Sequence, residues 1–214
     1  MNEMIVRILT GVVAGAVFIT SYLFLPKLFV AGLICLMVYM IFFEWARLCG
    51  GLASWYFWLT APLYPFMPFL VIILLITNTY HDNKLLGLYP FGLAWVHDTA
   101  SYFVGKLFGR HRLVPTISPN KTGEGLAGGL IGVTLFNYAV LGYLPAVRSS
   151  ILYPYVTLSV AGTAVAFAGD IFVSWVKRKA GVNDTGSLLP GHGGLLDRFD
   201  AVLFVAVFVW WLVW

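Results

Sequence analysis

Residues 151–176 of the chain read ILYPYVTLSVAGTAVAFAGDIFVSWV, and the only charged side chain among them is Asp170. A helix that crosses a bilayer needs about 20 consecutive, mostly apolar residues. This stretch meets that requirement and therefore predicts a transmembrane helix. An acid inside such a helix is expected to face other helices or a wet cavity, because contact with lipid is costly.

The same apolar pattern recurs along the rest of the chain. Of its 214 residues, 60% are hydrophobic and only 10% are charged, whereas soluble domains carry about 25% charged residues. We therefore predict an all-α fold, a polytopic integral membrane helical bundle. It forms a single membrane domain over residues 1–214, with N-terminal helices in 1–80 and the catalytic portion in 81–214. The seven predicted spans cover about 4–25, 28–48, 55–79, 86–108, 125–145, 151–176 and 198–214.

The third predicted span contains Pro62, Pro65 and Pro68. Proline removes a backbone donor and clashes with the preceding turn, so these residues must kink or break the helix. The sequence leaves open whether residues 55–79 form one helix or two.

The basic residues are unequally divided between the two sides of the predicted membrane. Cytoplasmic loops carry the excess of Lys and Arg, so the N-terminus and the loops 109–124 and 177–197 are predicted to be cytoplasmic. The first stretch lacks a clear cleavage site, and we expect it to remain as the first span. The net charge of +4 reflects this orientation and does not indicate a nucleic-acid partner. The cytoplasmic side receives Arg7, Arg47, Lys106, Arg110, Arg112, Lys121, Lys177, Arg178, Lys179 and Arg198, and the other side Lys27, Lys84 and Arg148.

Asp98 lies inside the fourth predicted span, in the segment AWVHDTASYFVGK. Ser101, Tyr102 and Gly105 follow it at helical spacing and fall on its face. Asp98 is therefore a candidate site residue. The alternative is a structural acid paired with a hydroxyl of a neighbouring helix. His97 points elsewhere on the helix and is interpreted as a packing or capping residue.

Asp170 begins a second polar stripe, continued by Ser174, Lys177 and Arg178 at positions i+4, i+7 and i+8. An acid, a hydroxyl and two cations on one face suit a metal ion together with phosphate groups. The alternative is snorkelling of the two cations to the membrane surface, which leaves the deeper Asp170 unexplained.

The segment NDTGSLLPGHGGLLDRFD that follows is rich in acids and glycines. Glycines allow backbone N–H groups to approach an anion closely. Acids at the start of a helix also act as ordinary caps, but capping does not account for all three acids. The candidate residues here are Asp184, His192, Gly193, Gly194, Asp197, Arg198 and Asp200.

The segment SPNKTGEGLAGG offers a further phosphate contact. Ser118, Lys121 and Thr122 precede a predicted helix, and a helix N-terminus favours anions. GEGLAG matches a dinucleotide-binding pattern, but we predict no strand before it and no βαβ unit, so that interpretation fails. The overlapping G-x-x-x-G pairs Gly125/Gly129 and Gly128/Gly132 instead predict close helix packing.

The stretch SWVKRKAGVNDTGSLLPGHGGLLDRFD resembles the signature of the phosphatidate cytidylyltransferase (CDP-diacylglycerol synthase) family. The pattern is S-x-x-K-R, four residues, K-D, then H-G-G-x-x-D-R-x-D. DTASYFVGKLFGRHRL with ISPNKTGEGLAGG, and EWARLCG at 44–50, resemble two earlier blocks. Two positions depart from the pattern, with Asn183 in place of Lys and Val173 where an acid often stands. The chain is short for this family, and we expect it to lack an early span.

The resemblance implies transfer of a cytidylyl group from CTP to phosphatidic acid, giving CDP-diacylglycerol and pyrophosphate. It implies Mg²⁺ as cofactor, with a second cation left open, held by Asp170 and Asp197. It also implies a homodimer in the lipid bilayer, placed in the bacterial inner membrane with its active site facing the cytoplasm. The predicted catalytic residues are Asp170, Asp197, Ser174, Lys177, Arg178, Asp98, Asp184 and Asp200. The predicted substrate-binding residues are Ser118, Lys121, Thr122, His192, Gly193, Gly194 and Arg198.

Three alternatives stay open at this point. In the first, the chain is a cytidylyltransferase whose acceptor is another lipid phosphate, such as an ether lipid or a polyprenyl phosphate. In the second, it is an ion-coupled transporter that uses Asp98 and Asp170 as a relay, although transporter sites favour the bilayer midplane and matched repeats. In the third, it is a structural scaffold, which would not need so many acids beside glycines.

Overall fold

The computed structural model describes residues 3–79, 83–143, 154–188 and 193–213. These residues form helices, joined in two places by a π-helical turn, and one short hairpin. The π-helical turns are Met40–Trp45 and Pro62–Phe66. The helices are α1 Glu3–Phe24, α2 Pro26–Tyr39, α3 Ala46–Leu48, α4 Trp55–Thr60, α5 Met67–Thr79, α6 Lys84–Phe108, α7 Gly123–Tyr143, α8 Tyr155–Lys179 and α9 Leu196–Val213.

The helical membrane class predicted from composition is confirmed. Four helical stretches are long and apolar enough to cross a membrane: Pro26–Leu48, Trp55–Thr79, Gly123–Gly142 and Tyr155–Lys179. Helices α1, α6 and α9 lie where the other three spans were predicted. Within the described residues these three do not meet the same length and composition criterion, so the number seven stays a prediction.

The prolines interrupt the third predicted span as expected. Helix α4 passes into the π-helical turn that contains Pro65, and α5 continues from there. Tyr64 within the turn has φ −152° and ψ 127°, which is extended backbone. The segment is therefore one kinked, interrupted helical stretch rather than a straight helix.

Helix α9 lies at the centre of the bundle. It packs against α5, α6 and α8, and residues over more than half of its circumference are buried, among them Val202, Leu203 and Val205, whereas Trp211 is exposed. Large apolar side chains on other helices are exposed, as expected for surfaces that face lipid. Because α9 packs against three other helices, the two acids near its N-terminus, Asp197 and Asp200, are partly buried.

The predicted packing of the glycine pairs is confirmed where α6 meets α7. A Cβ atom added to Gly128 would lie 2.5 Å from Val104 Cβ, and one on Gly132 would lie 2.7 Å from Ala100 Cβ. Real Cβ atoms do not come this close, so the missing side chains allow the two helices to touch.

A chain of buried polar groups joins α6, α7 and α8 inside the apolar bundle. The Tyr89 hydroxyl donates to Asn137 Oδ1 at 2.7 Å, and Asn137 Nδ2 donates to Ser159 Oγ at 2.9 Å. Ser159 Oγ donates in turn to the Tyr155 carbonyl at 2.7 Å. Hydrogen bonds of this kind fix the relative rotation of helices within a membrane.

A two-stranded hairpin precedes α7 and was not predicted. Strands β1 Arg112–Val114 and β2 Ser118–Thr122 pair antiparallel. The expectation that no strand precedes GEGLAG was therefore wrong. The dinucleotide-binding interpretation still fails, because a two-stranded antiparallel hairpin is not a βαβ unit.

Candidate active site

A cavity of about 600 Å³, called here the charged cavity, lies among α6, β2, α8 and α9. It brings together acids and cations that the sequence places on separate elements. Eleven predicted site residues line it: Asp98, Ser118, Lys121, Asp170, Ser174, Lys177, Arg178, Asp184, Asp197, Arg198 and Asp200. Their roles in chemistry stay predictions.

The polar stripe of α8 forms one wall of this cavity. Asp170, Ser174, Lys177 and Arg178 all line it, as their spacing on a helix predicts. Gly169 allows the close approach of α9, since a Cβ atom there would lie 2.7 Å from the Asp200 carbonyl oxygen. The two helices that carry most of the acids are thus in contact beside the cavity.

Both predicted metal ligands are paired with lysines. Lys121, at the end of β2, forms an ion pair with Asp170. Lys177 Nζ lies 2.7 Å from Asp197 Oδ1. In each pair the positive charge of a lysine lies beside a carboxylate in the wall of the charged cavity.

The second oxygen of Asp197 accepts three hydrogen bonds. They come from the Thr185 backbone N–H at 2.9 Å, the Thr185 hydroxyl at 3.0 Å and the Gly194 N–H at 3.0 Å. Gly193 has φ +82°, a conformation that favours glycine. The loop around the start of α9 therefore holds the Asp197 carboxylate in place.

The predicted contact of the glycines with substrate is not visible in this geometry. The Gly194 N–H is directed to the Asp197 carboxylate, and neither Gly193 nor Gly194 lines the charged cavity. Their substrate-binding role stays a prediction. His192 lies outside the described residues.

Glu44 is a buried acid that the sequence analysis did not select. Its side chain is 1% exposed and lies in the π-helical turn Met40–Trp45, a feature frequent at functional sites. Its two oxygens accept the N–H groups of Leu195 and Leu196, each at 2.7 Å. One of them also lies 2.8 Å from the Thr185 hydroxyl oxygen, whose single proton is shared between the Glu44 and Asp197 carboxylates. Glu44 thus caps the N-terminus of α9 from another helix.

Arg47, one turn after Glu44, reaches the same region. Its guanidinium donates to the Asp184 carbonyl oxygen at 2.7 Å. Both residues belong to EWARLCG, whose resemblance was noted without a role for either side chain. An acid within an apolar helix is by itself a signal of a functional site, and that signal applies to Glu44 as it did to Asp98 and Asp170.

The two departures from the family pattern have structural settings. Asn183 Oδ1 accepts a hydrogen bond from the Arg178 guanidinium at 2.6 Å, so the amide orients a cation that lines the charged cavity. Val173 is fully buried in the core. Because Asn183 stands where the pattern has a lysine, the positions of the other lysines matter. Lys121 lines the cavity, whereas Lys179 does not and instead lies over the Trp175 ring.

A second, smaller cavity of about 450 Å³ adjoins the charged cavity. The two share Asp98, Tyr102 and Lys121. Thr122 was predicted among the phosphate contacts, but it lines only the smaller cavity. Its hydroxyl accepts the Gly125 N–H at 3.1 Å, which caps the start of α7.

These features define a class of protein: a polytopic helical membrane protein in which partly buried and exposed acids and cations line a cavity large enough for a phosphorylated ligand. The chain belongs to the cytidylyltransferase family, whose profile matches residues 50–214.

Three relatives illustrate the likeness. The chain is 39% identical over 127 residues to a phosphatidate cytidylyltransferase of Haemophilus influenzae, a match covering 58% of this chain and 44% of that protein. It is 45% identical over 129 residues to one of Staphylococcus haemolyticus, covering 59% and 48%. For one of Staphylococcus aureus the identity is 43% over 118 residues, covering 55% and 45%. The chain spans about half the length of the curated relatives it matches.

Proposed function

We propose that this chain transfers a cytidylyl group from CTP to phosphatidic acid, forming CDP-diacylglycerol and pyrophosphate. One observation carries the proposal: in a chain of the cytidylyltransferase family, five aspartates and four cations from separate elements line one cavity. The relatives named phosphatidate cytidylyltransferase suggest the lipid acceptor.

The chemistry requires two phosphate groups of like charge to meet. A phosphate oxygen of the lipid forms a bond to the α-phosphorus of CTP. The bond from that phosphorus to the oxygen bridging to the β-phosphate breaks, and pyrophosphate leaves with the electron pair. The lipid phosphate is already an anion, so the reaction needs no strong base. It needs charge neutralisation and alignment.

The four cations of the charged cavity supply part of that neutralisation. Lys121, Lys177, Arg178 and Arg198 line the cavity. In our proposal the ammonium groups of Lys121 and Lys177 turn from their aspartates to the phosphates of the nucleotide. Asn183 holds the Arg178 guanidinium at 2.6 Å and keeps it oriented for the same purpose.

The donor set of the cavity fits Mg²⁺. Within the described part of the chain, no group of three or more His, Cys, Asp or Glu side chains forms a metal cage. Mg²⁺ is, however, commonly bound through one or two carboxylates plus substrate phosphates, and Asp170 and Asp197 line the same cavity. When bound there, Mg²⁺ would neutralise developing charge on the phosphates.

The remaining acids have supporting roles in this proposal. Asp98, Asp184 and Asp200 line the cavity with the two proposed ligands and would orient them or hold a second cation. Ser174 would donate a hydrogen bond to a phosphate oxygen.

The membrane arrangement is also part of the proposal. The ten-to-three division of basic residues supports seven spans, a cytoplasmic N-terminus and a cavity that faces the cytoplasm. Such a site would meet CTP from water and phosphatidic acid from the inner leaflet of a bacterial inner membrane. A homodimer is proposed on the family resemblance alone.

The test uses the purified chain in mixed micelles with phosphatidic acid, Mg²⁺ and CTP labelled at the α-phosphate. We expect the label to move into the lipid phase, and label placed at the γ-phosphate to appear in pyrophosphate. Parallel reactions with a polyprenyl phosphate identify the acceptor.

Two results would contradict the proposal. One is the absence of labelled lipid with any lipid phosphate at saturating CTP. The other is ion flux in liposomes that depends on Asp98 and Asp170 and is independent of CTP, which would favour a transporter.

A further inference from the structure

Beside the smaller cavity lie several buried polar groups that have no hydrogen-bond partner among the described residues. Within the described residues, both ring nitrogens of His97, Oδ1 of Asp98 and Oγ of Ser101 are buried and have no partner. All three residues line this cavity, and His97 is fully buried. An unsatisfied buried polar group costs about 1–3 kcal/mol, so such a cluster suggests a site whose ligand completes the bonds.

The backbone of α7 makes room for this cluster. A Cβ atom added to Gly129 would lie 2.7 Å from His97 Nδ1 and would also overlap the Ser101 hydroxyl. The glycine therefore lets the imidazole and the hydroxyl lie side by side against α7. The packing against α7 therefore fixes the positions of the imidazole and the hydroxyl.

The chemistry of the cluster disfavours two kinds of ligand. The buried groups of His97, Asp98 and Ser101 include a carboxylate, which would repel a phosphate; of the three basic lining residues, Lys106 and Arg112 are exposed and Lys121 forms an ion pair with Asp170. An acyl chain would leave all the polar groups unpaired, which is costly. A neutral heterocycle with both donors and acceptors matches an imidazole, a hydroxyl and a carboxylate.

The position of the smaller cavity beside the charged cavity indicates which heterocycle it would bind. Lys121 and Asp98 line both cavities, so a nucleotide with its phosphates beside Lys121 would place its base in the smaller cavity. A volume of about 450 Å³ lies within the range of small-molecule sites. We propose that the smaller cavity is the nucleobase subsite and that Asp98 selects cytosine over uracil. This inference rests on the proposed function.

The selection follows from the exocyclic groups of the two bases. The 4-amino group of cytosine is a donor, which a carboxylate accepts. Uracil presents an oxygen at the same position, and two acceptors would face each other. Ser101 and His97 provide further hydrogen bonds to the ring, which both bases can use.

The experiment compares CTP and UTP as substrates of the wild type, Asp98→Asn and Ser101→Ala. Tripolyphosphate, which has no base, serves as a competitive inhibitor that reports phosphate contacts alone. We expect Asp98→Asn to lower the ratio of kcat/KM for CTP to that for UTP by about tenfold or more, since a lost or mismatched polar contact has effects of this size. Ser101→Ala should raise the KM for CTP about fivefold or more. In Ser101→Ala, whose residue does not line the charged cavity, inhibition by tripolyphosphate should change by less than about twofold.

A matched control removes a comparable hydroxyl elsewhere. Thr163 Oγ1 is also buried and has no partner in the part of the chain that the structure describes, and Thr163 lines neither of these two cavities. Thr163→Val should leave the CTP-to-UTP ratio and the KM for CTP unchanged.

The possible outcomes separate the subsite from the proposed function. If the wild type converts CTP but Asp98→Asn keeps its CTP-to-UTP ratio and Ser101→Ala keeps its KM for CTP, the subsite is overturned and the proposed function stands. Equal weakening of CTP and tripolyphosphate in Ser101→Ala would assign the cavity to phosphate and overturn the subsite as well. A wild type that uses neither nucleotide and is not inhibited by tripolyphosphate overturns both.

Discussion

Two regions of the site differ in how their polar groups are satisfied. At the start of α9, which we call the α9 corner (Glu44, Thr185, Gly194 and Asp197), both carboxylate oxygens of Glu44 and of Asp197 have a donor within the protein. In the smaller cavity, buried groups of His97 and Ser101 have none among the described residues. One region is complete without ligand, and the other is not.

The difference teaches how the two regions contribute. Because the α9 corner holds Asp197 through the protein's own hydrogen bonds, this proposed metal ligand is preorganised. Little free energy is then needed to bring its carboxylate into the working geometry. The smaller cavity gains its hydrogen bonds only when a ligand enters, so it contributes to binding and selection. Changes in the α9 corner should therefore affect kcat most, and changes in the cavity should affect KM and specificity.

Replacing Asp197 with Asn should have the largest effect. The change removes a carboxylate from the proposed cation site, and we expect kcat to fall about 10³-fold, the scale of losing a central electrostatic contact. The measurement is CDP-lipid formation at saturating CTP. Glu124→Gln is the control, because Glu124 holds the Arg110 and His111 N–H groups and lines neither cavity. Full activity in Asp197→Asn would remove Asp197 from the chemistry.

Replacing Glu44 with Gln should have the next largest effect. One Glu44 oxygen accepts from Leu195, and the other accepts from Leu196 and Thr185. In glutamine an NH₂ group replaces one of these oxygens, so it would face a backbone N–H that has lost its acceptor. We expect kcat to fall about 10- to 100-fold, as for residues that orient a metal ligand, with a smaller change in the KM for CTP.

The hydroxyl that joins the two carboxylates provides a matched pair of variants. Thr185→Ser keeps the hydroxyl and should retain most activity, whereas Thr185→Val has the same shape without it and should resemble Glu44→Gln. If Thr185→Val and Thr185→Ser have equal activity, the hydrogen bonds of the α9 corner do not matter for catalysis.

Replacing Gly129 with Ala tests the packing beneath the smaller cavity. The added methyl group would overlap Ser101 and His97, and overpacking of this kind costs about 1–3 kcal/mol. Thermal unfolding followed by tryptophan fluorescence should show the loss. Gly142→Ala, on the same helix with open space around it, should be neutral or slightly stabilising. Equal unfolding temperatures for the two variants would contradict the close packing of α6 and α7.

Replacing Arg47 with Met should have the smallest effect. Arg47 is exposed and donates one hydrogen bond to the Asp184 carbonyl, so its loss should cost less than about 1 kcal/mol. We expect activity within about threefold of the wild type. A loss as large as that of Glu44→Gln would show that Arg47, not Glu44, fixes the α9 corner.

The sequence predicted the parts of this molecule that follow from periodicity. The stripe of Asp170, Ser174, Lys177 and Arg178 lies on one side of α8 because the helical repeat requires it. The glycine pairs of α7 pack against α6 for an equally local reason. The prolines before Met67 interrupt their helix as their missing donors demand.

The parts that it missed depend on contacts between distant segments. Strands β1 and β2 are too short to show an alternating pattern, so the hairpin had no signal. Glu44 meets Leu195 across 151 positions of the chain, and nothing local to either residue indicates that contact. Thr122 was assigned to phosphate from its neighbours in sequence, but the turn into α7 directs its hydroxyl to Gly125.

The central claim is that Asp170 and Asp197, from different helices, together hold a divalent cation when CTP is present. The most direct measurement is a titration with Mn²⁺, followed by electron paramagnetic resonance, of the protein with CTP and without lipid acceptor. We predict that Asp170→Asn and Asp197→Asn each weaken Mn²⁺ binding about tenfold or more, while Glu124→Gln binds like the wild type. Mn²⁺ affinities equal to the wild type in both aspartate variants would contradict the claim.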